Sequence, residues 1–181
     1  KCWHFIKDDV TKAVKGILNT GFVLREMNRT FISLIPKKEN PELVTEFRPI
    51  SLCNVIMRIV TKCIANRMKK LMAGVIHDAQ NAFIPGRHIS DNILIAHELI
   101  HNITHHKDRK IGRMALKIDM NKAYDRISWI FLRKTLIKTG FPELWIRLIM
   151  NCVTTVSYEV LINGSPQPQF QPKGGLRQGD P

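Results

Sequence analysis

The segment Met114-Ala-Leu-Lys-Ile-Asp-Met-Asn-Lys-Ala-Tyr-Asp-Arg-Ile-Ser-Trp129 joins a strand-like apolar run to a polar, amphipathic one. This pattern predicts a strand over 113–119, anchored in a core, that delivers the Asp119 carboxylate at its end. A rigid strand end can hold an acidic Mg²⁺ ligand against substrate phosphates. Asp119 could equally cap a helical turn over 120–126, and the segment alone leaves both interpretations open.

Other polar residues have structural interpretations. Asp125 follows Asp119 by six residues, and on a helix its side chain would point away from Asp119. We therefore expect Asp125 to form an ion pair with Lys122 or Arg126 rather than to share a metal ion. A polar helix face, rather than a transition-metal site, is expected for three histidines spaced four apart, His97, His101 and His105.

Composition and charge favour a globular protein that binds nucleic acid. The 181 residues include 28 Lys and Arg against 15 Asp and Glu, a net charge of +13. Such a surplus attracts polyanions through phosphate contacts and counterion release, although a merely basic, soluble surface is the alternative. No apolar run approaches the ~18–20 residues of a membrane-spanning helix, so we expect no membrane partner.

The cysteines indicate the cellular compartment of the protein, and the chain ends indicate whether the sequence is part of a longer one. The four cysteines include no CxxC pair, which favours a reducing, intracellular compartment over a disulfide framework or a zinc site. The first residue is not Met, and the sequence stops abruptly at Pro181. We therefore expect a piece of a longer polypeptide.

Hydrophobic periodicity predicts one interleaved α/β unit without internal repeats. Helices are predicted over 3–18, 55–76, 92–105, 127–139 and 142–152. Ser90-Asp91 is the predicted N-cap of the third of them. Strands are predicted over 30–36, 47–53, 113–119 and 156–162, the last followed by a tight turn at Asn163-Gly164.

Two further segments have residue types that suit phosphate or substrate contacts. The hairpin predicted over 30–53 carries Lys37, Lys38 and Arg48, which could fold over a triphosphate or clamp a template backbone. Solvated surface charge is the alternative. The glycines of Gly174-Gly-Leu-Arg-Gln-Gly-Asp-Pro181 permit close backbone approach to a substrate around Gln178, but an ordinary turn has the same composition.

Four separated segments, in this order, closely resemble the successive motifs of a reverse transcriptase. They are Phe47-Arg-Pro-Ile-Ser-Leu-Cys-Asn54, Gln80-Asn-Ala-Phe-Ile-Pro-Gly-Arg87, Lys117-Ile-Asp-Met-Asn-Lys-Ala-Tyr-Asp-Arg126 and Gly175-Leu-Arg-Gln-Gly-Asp-Pro181. The resemblance is to the LINE-type (non-LTR) retrotransposon class, particularly the form abundant in plant genomes, and it extends from about Trp3 to the last residue.

The resemblance implies roles for individual residues. Asp119 matches the first metal-binding aspartate of the polymerase palm, and the backbone of Ile118 lies where coordination of Mg²⁺ or Mn²⁺ is completed. Tyr124 matches the bulky gate beside the sugar of the incoming nucleotide. Gln178 matches the glutamine that packs against that nucleotide and the template.

The remaining matched residues are basic or adjoin a turn. Arg48, together with Lys37 or Lys38, matches basic fingers residues that contact the triphosphate. Arg87, which follows the Pro85-Gly86 turn, resembles a template-side residue, and Gly86 belongs to the same predicted template contact.

The resemblance also implies a right-hand architecture reduced to fingers and a partial palm. Residues 1–90 would be the fingers with the basic hairpin, 91–128 the first palm segment, and 129–181 a return to fingers and palm. The antiparallel palm sheet would lack its central hairpin, and the thumb would be missing. The intact enzyme would use an RNA template, a DNA primer and deoxynucleotides, with the nucleus as the favoured location.

One departure from the family pattern concerns activity. The Tyr/Phe-x-Asp-Asp hairpin that supplies the other catalytic carboxylates does not occur in these residues. Because two metal ions need several carboxylates, we expect this fragment by itself to be inactive. The alternatives are a non-catalytic nucleic-acid-binding module, the product of a decayed retroelement, or a more distant intron-encoded maturase.

Overall fold

The protein has the α/β fold that the sequence predicts. The structure is a computed structural model and describes residues 2–105 and 112–179. Within those ranges the chain forms two compact units, one from Lys1–Ala65 with Lys122–Pro181 and the other from Asn66–Asn121. The boundaries between fingers and palm drawn from the sequence, near residues 90 and 128, stay predictions.

A mixed four-stranded sheet forms the centre of the first unit. Strands β1 (Arg29–Pro36) and β2 (Phe47–Cys53) form the predicted antiparallel hairpin. Strand β3 (Ser157–Ile162) pairs with β1 in parallel, and the short β4 (Ser165–Pro166) pairs with β3. The strand order is therefore β2-β1-β3-β4.

The predicted turn between β3 and β4 is confirmed. Asn163 and Gly164 have φ angles of 50° and 80°. Positive φ at both central residues is what a type I′ hairpin turn requires, and Asn-Gly tolerates it at low cost.

The residues that the structure describes also form five helices: α1 (Trp3–Thr20), α2 (Val55–Val75), α3 (Ile89–Thr104), α4 (Trp129–Lys138) and α5 (Glu143–Thr154). All except α3 begin and end within two residues of their predicted bounds. Helix α5 packs against α1 and α4. The core of this unit contains the buried apolar side chains Val14, Ile17, Val23, Met57, Val60, Ile64, Leu136, Ile146, Leu148, Cys152 and Val156.

In the second unit the predicted cap of α3 is wrong. The helix begins at Ile89 with His88 at the N-cap position, so Ser90 and Asp91 lie inside its first turn. The buried Asn81 side chain explains the earlier start. Its Nδ2 donates to the His88 carbonyl oxygen at 3.1 Å and to Asn92 Oδ1 at 3.0 Å, which fixes the chain before the helix.

The strand predicted over 113–119 is also wrong. Residues 112–120 form neither helix nor strand, and Met114, Leu116 and Ile118 are 75–85% exposed rather than anchored in a core. A strand needs a neighbour that satisfies its backbone N–H and C=O groups, and no other strand in the described ranges pairs with this segment.

Two further findings concern membrane-spanning helices and disulfide bonds. In residues 2–105 and 112–179, no helix has both the length and the apolar character needed to cross a bilayer. All four cysteines lie in these ranges, and none forms a disulfide.

Candidate functional site

A cavity of about 430 Å³ opens in the first unit beside the basic hairpin. It is lined by the ends of β1 and β2, by the segment that follows Asn121, and by Gln178. The polar and charged residues at its wall are Lys37, Thr45, Arg48, Lys122, Tyr124, Asp125 and Gln178. Four residues predicted to bind nucleotide, Lys37, Arg48, Tyr124 and Gln178, thus lie around one space.

Strand pairing places Arg48 at this cavity. Arg48 is the direct partner of Ile35 in the hairpin register, and its side chain is exposed. At the tip, the Lys37 backbone N–H donates to the Glu46 carbonyl at 2.8 Å, and Lys37 Nζ donates to the Thr45 carbonyl at 2.8 Å. The hairpin therefore presents two cations at the cavity, Lys37 from its hydrogen-bonded loop and Arg48 from strand β2.

Lys38 lies in the same loop as Lys37 and pairs with an acidic side chain, and its predicted contact with a triphosphate stays a prediction. It does not line the cavity, and its ammonium lies 2.6 Å from Glu46 Oε1. The other carboxylate oxygen of Glu46 accepts the backbone N–H groups of Glu42 and Leu43 at 2.7 and 3.1 Å. The hydrogen bond from Lys38, followed by those two amides, lowers the pKa of Glu46. Lys38 thus helps to fold the loop.

Backbone contacts bring the Tyr124 and Gln178 segments together. The Leu176 N–H donates to the Tyr124 carbonyl and the Gly175 N–H to the Ile127 carbonyl, both at 2.8 Å. Trp129 Nε1 donates to the Gly175 carbonyl at 2.8 Å. Two motifs that are distant in sequence are therefore joined main chain to main chain.

Only glycine fits at position 175. Its φ is +84°, and a Cβ there would lie 3.0 Å from the Asp125 carbonyl oxygen and 3.1 Å from the Tyr124 carbonyl oxygen. The close backbone approach at Gly175 is therefore to the protein's own chain, and an approach to a substrate around Gln178 stays a prediction.

The residues before Tyr124 form a tight turn at the cavity wall. Lys122 has a φ of 53°, and Ala123 follows in the right-handed helical region. Turns of this kind can direct successive backbone N–H groups into an anion-binding concavity. With Lys37, Arg48 and Lys122 against the single carboxylate of Asp125, the wall carries excess positive charge and suits a phosphate group.

The predicted ion pair of Asp125 is wrong. Among the described residues its carboxylate pairs with neither Lys122 nor Arg126. The Lys122–Arg126 segment forms a turn followed by a short 3-10 helix rather than an α-helix, so these side chains do not share the helix face that the pairing would need.

Arg177 is a buried residue that the sequence did not mark for any role. Its side chain Nη1 donates to Asn28 Oδ1 at 2.8 Å and to Thr30 Oγ1 at 3.0 Å. Arg177 is 8% exposed, and Asn28 and Thr30 are fully buried. Its neighbour Gln178 is exposed at the cavity. Arg177 differs from the exposed basic residues in its contacts with Asn28 and Thr30, which are distant in sequence.

The predicted template residues lie in the second unit. Gly86 has a φ of +79° in the expected turn. Arg87 Nη1 donates to the carbonyls of His77 and Gln80, both at 2.7 Å, and Nη2 lies 3.0 Å from Asp78 Oδ1. The Arg87 side chain therefore ties its own turn to the segment 77–80 that follows α2. Its predicted contact with the template stays a prediction.

Asp119 and Ile118 also lie in the second unit, and both side chains are exposed. The helix-cap interpretation of Asp119 is wrong, because the 3-10 turn that follows has Ala123 at its N-cap. No cluster of three His, Cys, Asp or Glu side chains that could hold a metal ion occurs in the described ranges. His101 and His105 stack on one another with ring centroids 4.1 Å apart.

Sequence comparisons give a family match and several relatives. The family described as reverse transcriptase (RNA-dependent DNA polymerase) matches residues 35–181. The "Transposon TX1 uncharacterized 149 kDa protein" of Xenopus laevis is 29% identical over 179 residues, which is 99% of this chain and 14% of that protein.

Two relatives from Drosophila melanogaster are also similar. The "Retrovirus-related Pol polyprotein from type-2 retrotransposable element R2DM" is 26% identical over 81% of this chain and 13% of its own length. The "Probable RNA-directed DNA polymerase from transposon BS" is 26% identical over 91% of this chain and 18% of its own length. The chain thus spans less than a fifth of each of these relatives.

Proposed function

The chain belongs to the reverse transcriptase (RNA-dependent DNA polymerase) family, and we propose that the cavity of its first unit binds an incoming deoxynucleoside triphosphate. The resemblance to non-LTR retrotransposon proteins is confirmed by the family match and the relatives. The plant-like form stays a prediction, because none of the three relatives described above comes from a plant.

One observation carries the proposal. Arg48, Tyr124 and Gln178, each matched to a nucleotide contact by sequence motif alone, line the same cavity although they come from three distant segments. Its volume of about 430 Å³ falls in the range of about 300–1,000 Å³ typical of small-molecule sites. The meeting of these three residues at one cavity supports the proposal that they bind the same ligand.

Each side chain has a chemical task in this proposal. The planar guanidinium of Arg48 can make paired hydrogen bonds to phosphate oxygens, while Lys37 adds a point charge. The half-exposed ring of Tyr124 would lie against the sugar, where an aromatic group leaves no room for a 2′-hydroxyl. Gln178 can donate and accept hydrogen bonds to the base or the template.

Metal ligation is proposed for the second unit. The Asp119 carboxylate and the Ile118 carbonyl would supply two oxygen ligands to Mg²⁺ or Mn²⁺. Mg²⁺ keeps several waters and is often held by one or two carboxylates together with substrate phosphates, and an exposed carboxylate such as that of Asp119 fits this mode. The chemistry that such an ion supplies is neutralisation of phosphate charge.

In the intact protein we propose RNA-templated DNA synthesis, in which a primer 3′-hydroxyl attacks the α-phosphate and pyrophosphate leaves. The net charge of +13 supports binding of both template and primer. A nuclear location would follow if the primer is chromosomal DNA. Asp119 is the one residue here matched to a metal-binding aspartate, so we propose that these 181 residues alone bind nucleotide and nucleic acid without extending a primer.

Two measurements test this function. In equilibrium titrations, dATP should bind more tightly than ATP, and equal affinities would count against a sugar gate at Tyr124. In a primer-extension assay the chain should incorporate no nucleotide. Mg²⁺-dependent incorporation that disappears in Asp119→Asn would refute the proposed inactivity. Binding of RNA with a steep salt dependence but no affinity for dATP would instead favour a nucleic-acid-binding module.

A further inference from the structure

The buried guanidinium of Arg177 lies directly beside the predicted nucleotide contact in the chain. Burying a charged group is costly unless it is hydrogen-bonded, and Nη1 alone donates to both Asn28 Oδ1 and Thr30 Oγ1. Both acceptors lie where β1 begins, about 150 residues away in sequence. The arginine therefore ties the Gln178 loop to the sheet.

The side-chain amide of Asn28, which accepts from Arg177, is itself held by further hydrogen bonds. Asn28 Nδ2 donates to the Cys152 carbonyl and to Thr155 Oγ1, both at 2.9 Å. Thr155 Oγ1 donates to the Asn151 carbonyl at 2.7 Å. Because Nδ2 faces an acceptor-only carbonyl, Oδ1 must face the guanidinium. The end of α5, the start of β1 and the loop at 177 thus share one hydrogen-bonded chain.

The loop is held at two points around Gln178. On one side the backbone of Gly175 and Leu176 bonds to Ile127 and Tyr124 at 2.8 Å. On the other, the Arg177 side chain bonds to Asn28 and Thr30 at the buried start of β1, while Gln178 is exposed at the cavity. Gln178 follows directly, in a turn with Gly179, whose φ is +98°, so fixing Arg177 limits the positions that the Gln178 side chain can take.

From this arrangement we infer that Arg177 is a positioning residue: its bonds to Asn28 and Thr30 hold Gln178 in the orientation that contacts the nucleotide. The inference rests on the proposed nucleotide site. A lysine would hold the loop less firmly, because the two N–H bonds of Nη1 are fixed in the guanidinium plane, whereas the donors of an ammonium rotate on a flexible stem. Arg177 would touch neither nucleotide nor metal and would act through its neighbour.

A double-mutant cycle separates positioning from simple stabilisation. The first substitution is Gln178→Ala, measured by dATP affinity in the wild-type and Arg177→Lys backgrounds. In the wild type it should weaken binding roughly tenfold, the size expected for one lost hydrogen bond to a charged or polar ligand. In the Arg177→Lys background it should change affinity less than about twofold, since Gln178 would already be misplaced.

Arg29→Lys is the matched control. Arg29 also lies at the start of β1 and forms an ion pair with a buried carboxylate, that of Glu159, but it lines no part of the cavity. In that background Gln178→Ala should keep its full tenfold effect. An equal effect of Gln178→Ala in the Arg177→Lys and Arg29→Lys backgrounds would overturn the inference.

A nucleotide-free readout keeps this result distinct from failure of the proposed function. In ¹H–¹⁵N spectra, Arg177→Lys should shift the side-chain amide signals of Gln178 and the indole signal of Trp129, whereas Arg29→Lys should leave both in place. Unchanged signals in Arg177→Lys would reject positioning whether or not dATP binds. If that variant does not fold, Thr30→Val removes one acceptor with little change in shape and should give the same shifts in weaker form; their absence would also reject it.

Discussion

Replacing Gly175 with alanine tests how the two halves of the nucleotide cavity are joined. An L-residue at the Gly175 φ of +84° costs about 1–2 kcal/mol in backbone strain. The new Cβ would also lie 3.0 Å from the Asp125 carbonyl oxygen, where the neighbour is backbone and cannot simply rotate away. The loop and the Tyr124–Asp125 backbone must therefore shift apart by a few tenths of an ångström.

The size of the expected destabilisation follows from the hydrogen bonds that the substitution weakens. Movement weakens the hydrogen bonds from Gly175 to Ile127 and from Leu176 to Tyr124, both 2.8 Å long, each contributing about 0.5–1.5 kcal/mol. Together with the strain, the expected loss in the free energy of unfolding is about 2–5 kcal/mol. The affinity for dATP should fall as well, because Gln178 moves with the loop.

Gly164→Ala is the control for this substitution. Gly164 has a similar φ of +80° but no atom within 4 Å of the added Cβ, so the same change should cost only the strain, about 1–2 kcal/mol. Urea unfolding followed by circular dichroism measures both variants. Equal destabilisation by Gly175→Ala and Gly164→Ala would refute the close-approach argument.

Three further predictions concern single side chains. Trp129→Phe removes the 2.8 Å bond to the Gly175 carbonyl and should lower the free energy of unfolding by about 0.5–1.5 kcal/mol in urea melts; no loss would show that this bond is not formed. The pKa of Glu46 is lowered from 4.5, chiefly by the hydrogen bond from Lys38, so the stability that this carboxylate adds is full above that value and is lost as pH falls through the lowered pKa. The stability difference between wild type and Glu46→Gln should therefore shrink below about pH 4.5, and a pH-independent difference would contradict the assignment. Tyr124→Ala should bring the affinities for ATP and dATP within about twofold in the titration that separates them in the wild type, whereas retained discrimination would remove Tyr124 from the gate.

Short-range patterns explain what the sequence predicted well. The β1–β2 hairpin follows from short, largely apolar runs on either side of a polar turn, and the turn at Asn163 follows from the backbone freedom of Asn-Gly. The helices follow from apolar spacing over many residues. These signals are local, so a single sequence contains them.

Long-range pairing explains what the sequence did not predict. The segment 113–119 has the composition of a strand, but composition does not create a neighbouring strand, and none pairs with it in the described ranges. The parallel pairing of β3 with β1 likewise has no local signal.

The residues of the candidate site likewise include some that the sequence identified and one that it did not. Motif resemblance identified Arg48, Tyr124 and Gln178, which the fold brings to one cavity. Arg177 could not be identified, because arginine is usually exposed and its acceptors Asn28 and Thr30 lie far away in sequence. Burial is a property of the folded chain, and the residues adjacent to Arg177 do not indicate it.

The most direct test of the nucleotide cavity is the affinity for dATP of Arg48→Ala compared with Arg58→Ala. Both substitutions remove one exposed arginine from the first unit, but only Arg48 lines the cavity. Loss of a charge-assisted hydrogen bond to phosphate costs about 1.5–3 kcal/mol, or roughly 10- to 100-fold in Kd. Isothermal titration should show that loss for Arg48→Ala and less than about a threefold change for Arg58→Ala. Equal weakening by both substitutions would mean that the nucleotide responds only to net charge, and it would contradict the proposed site.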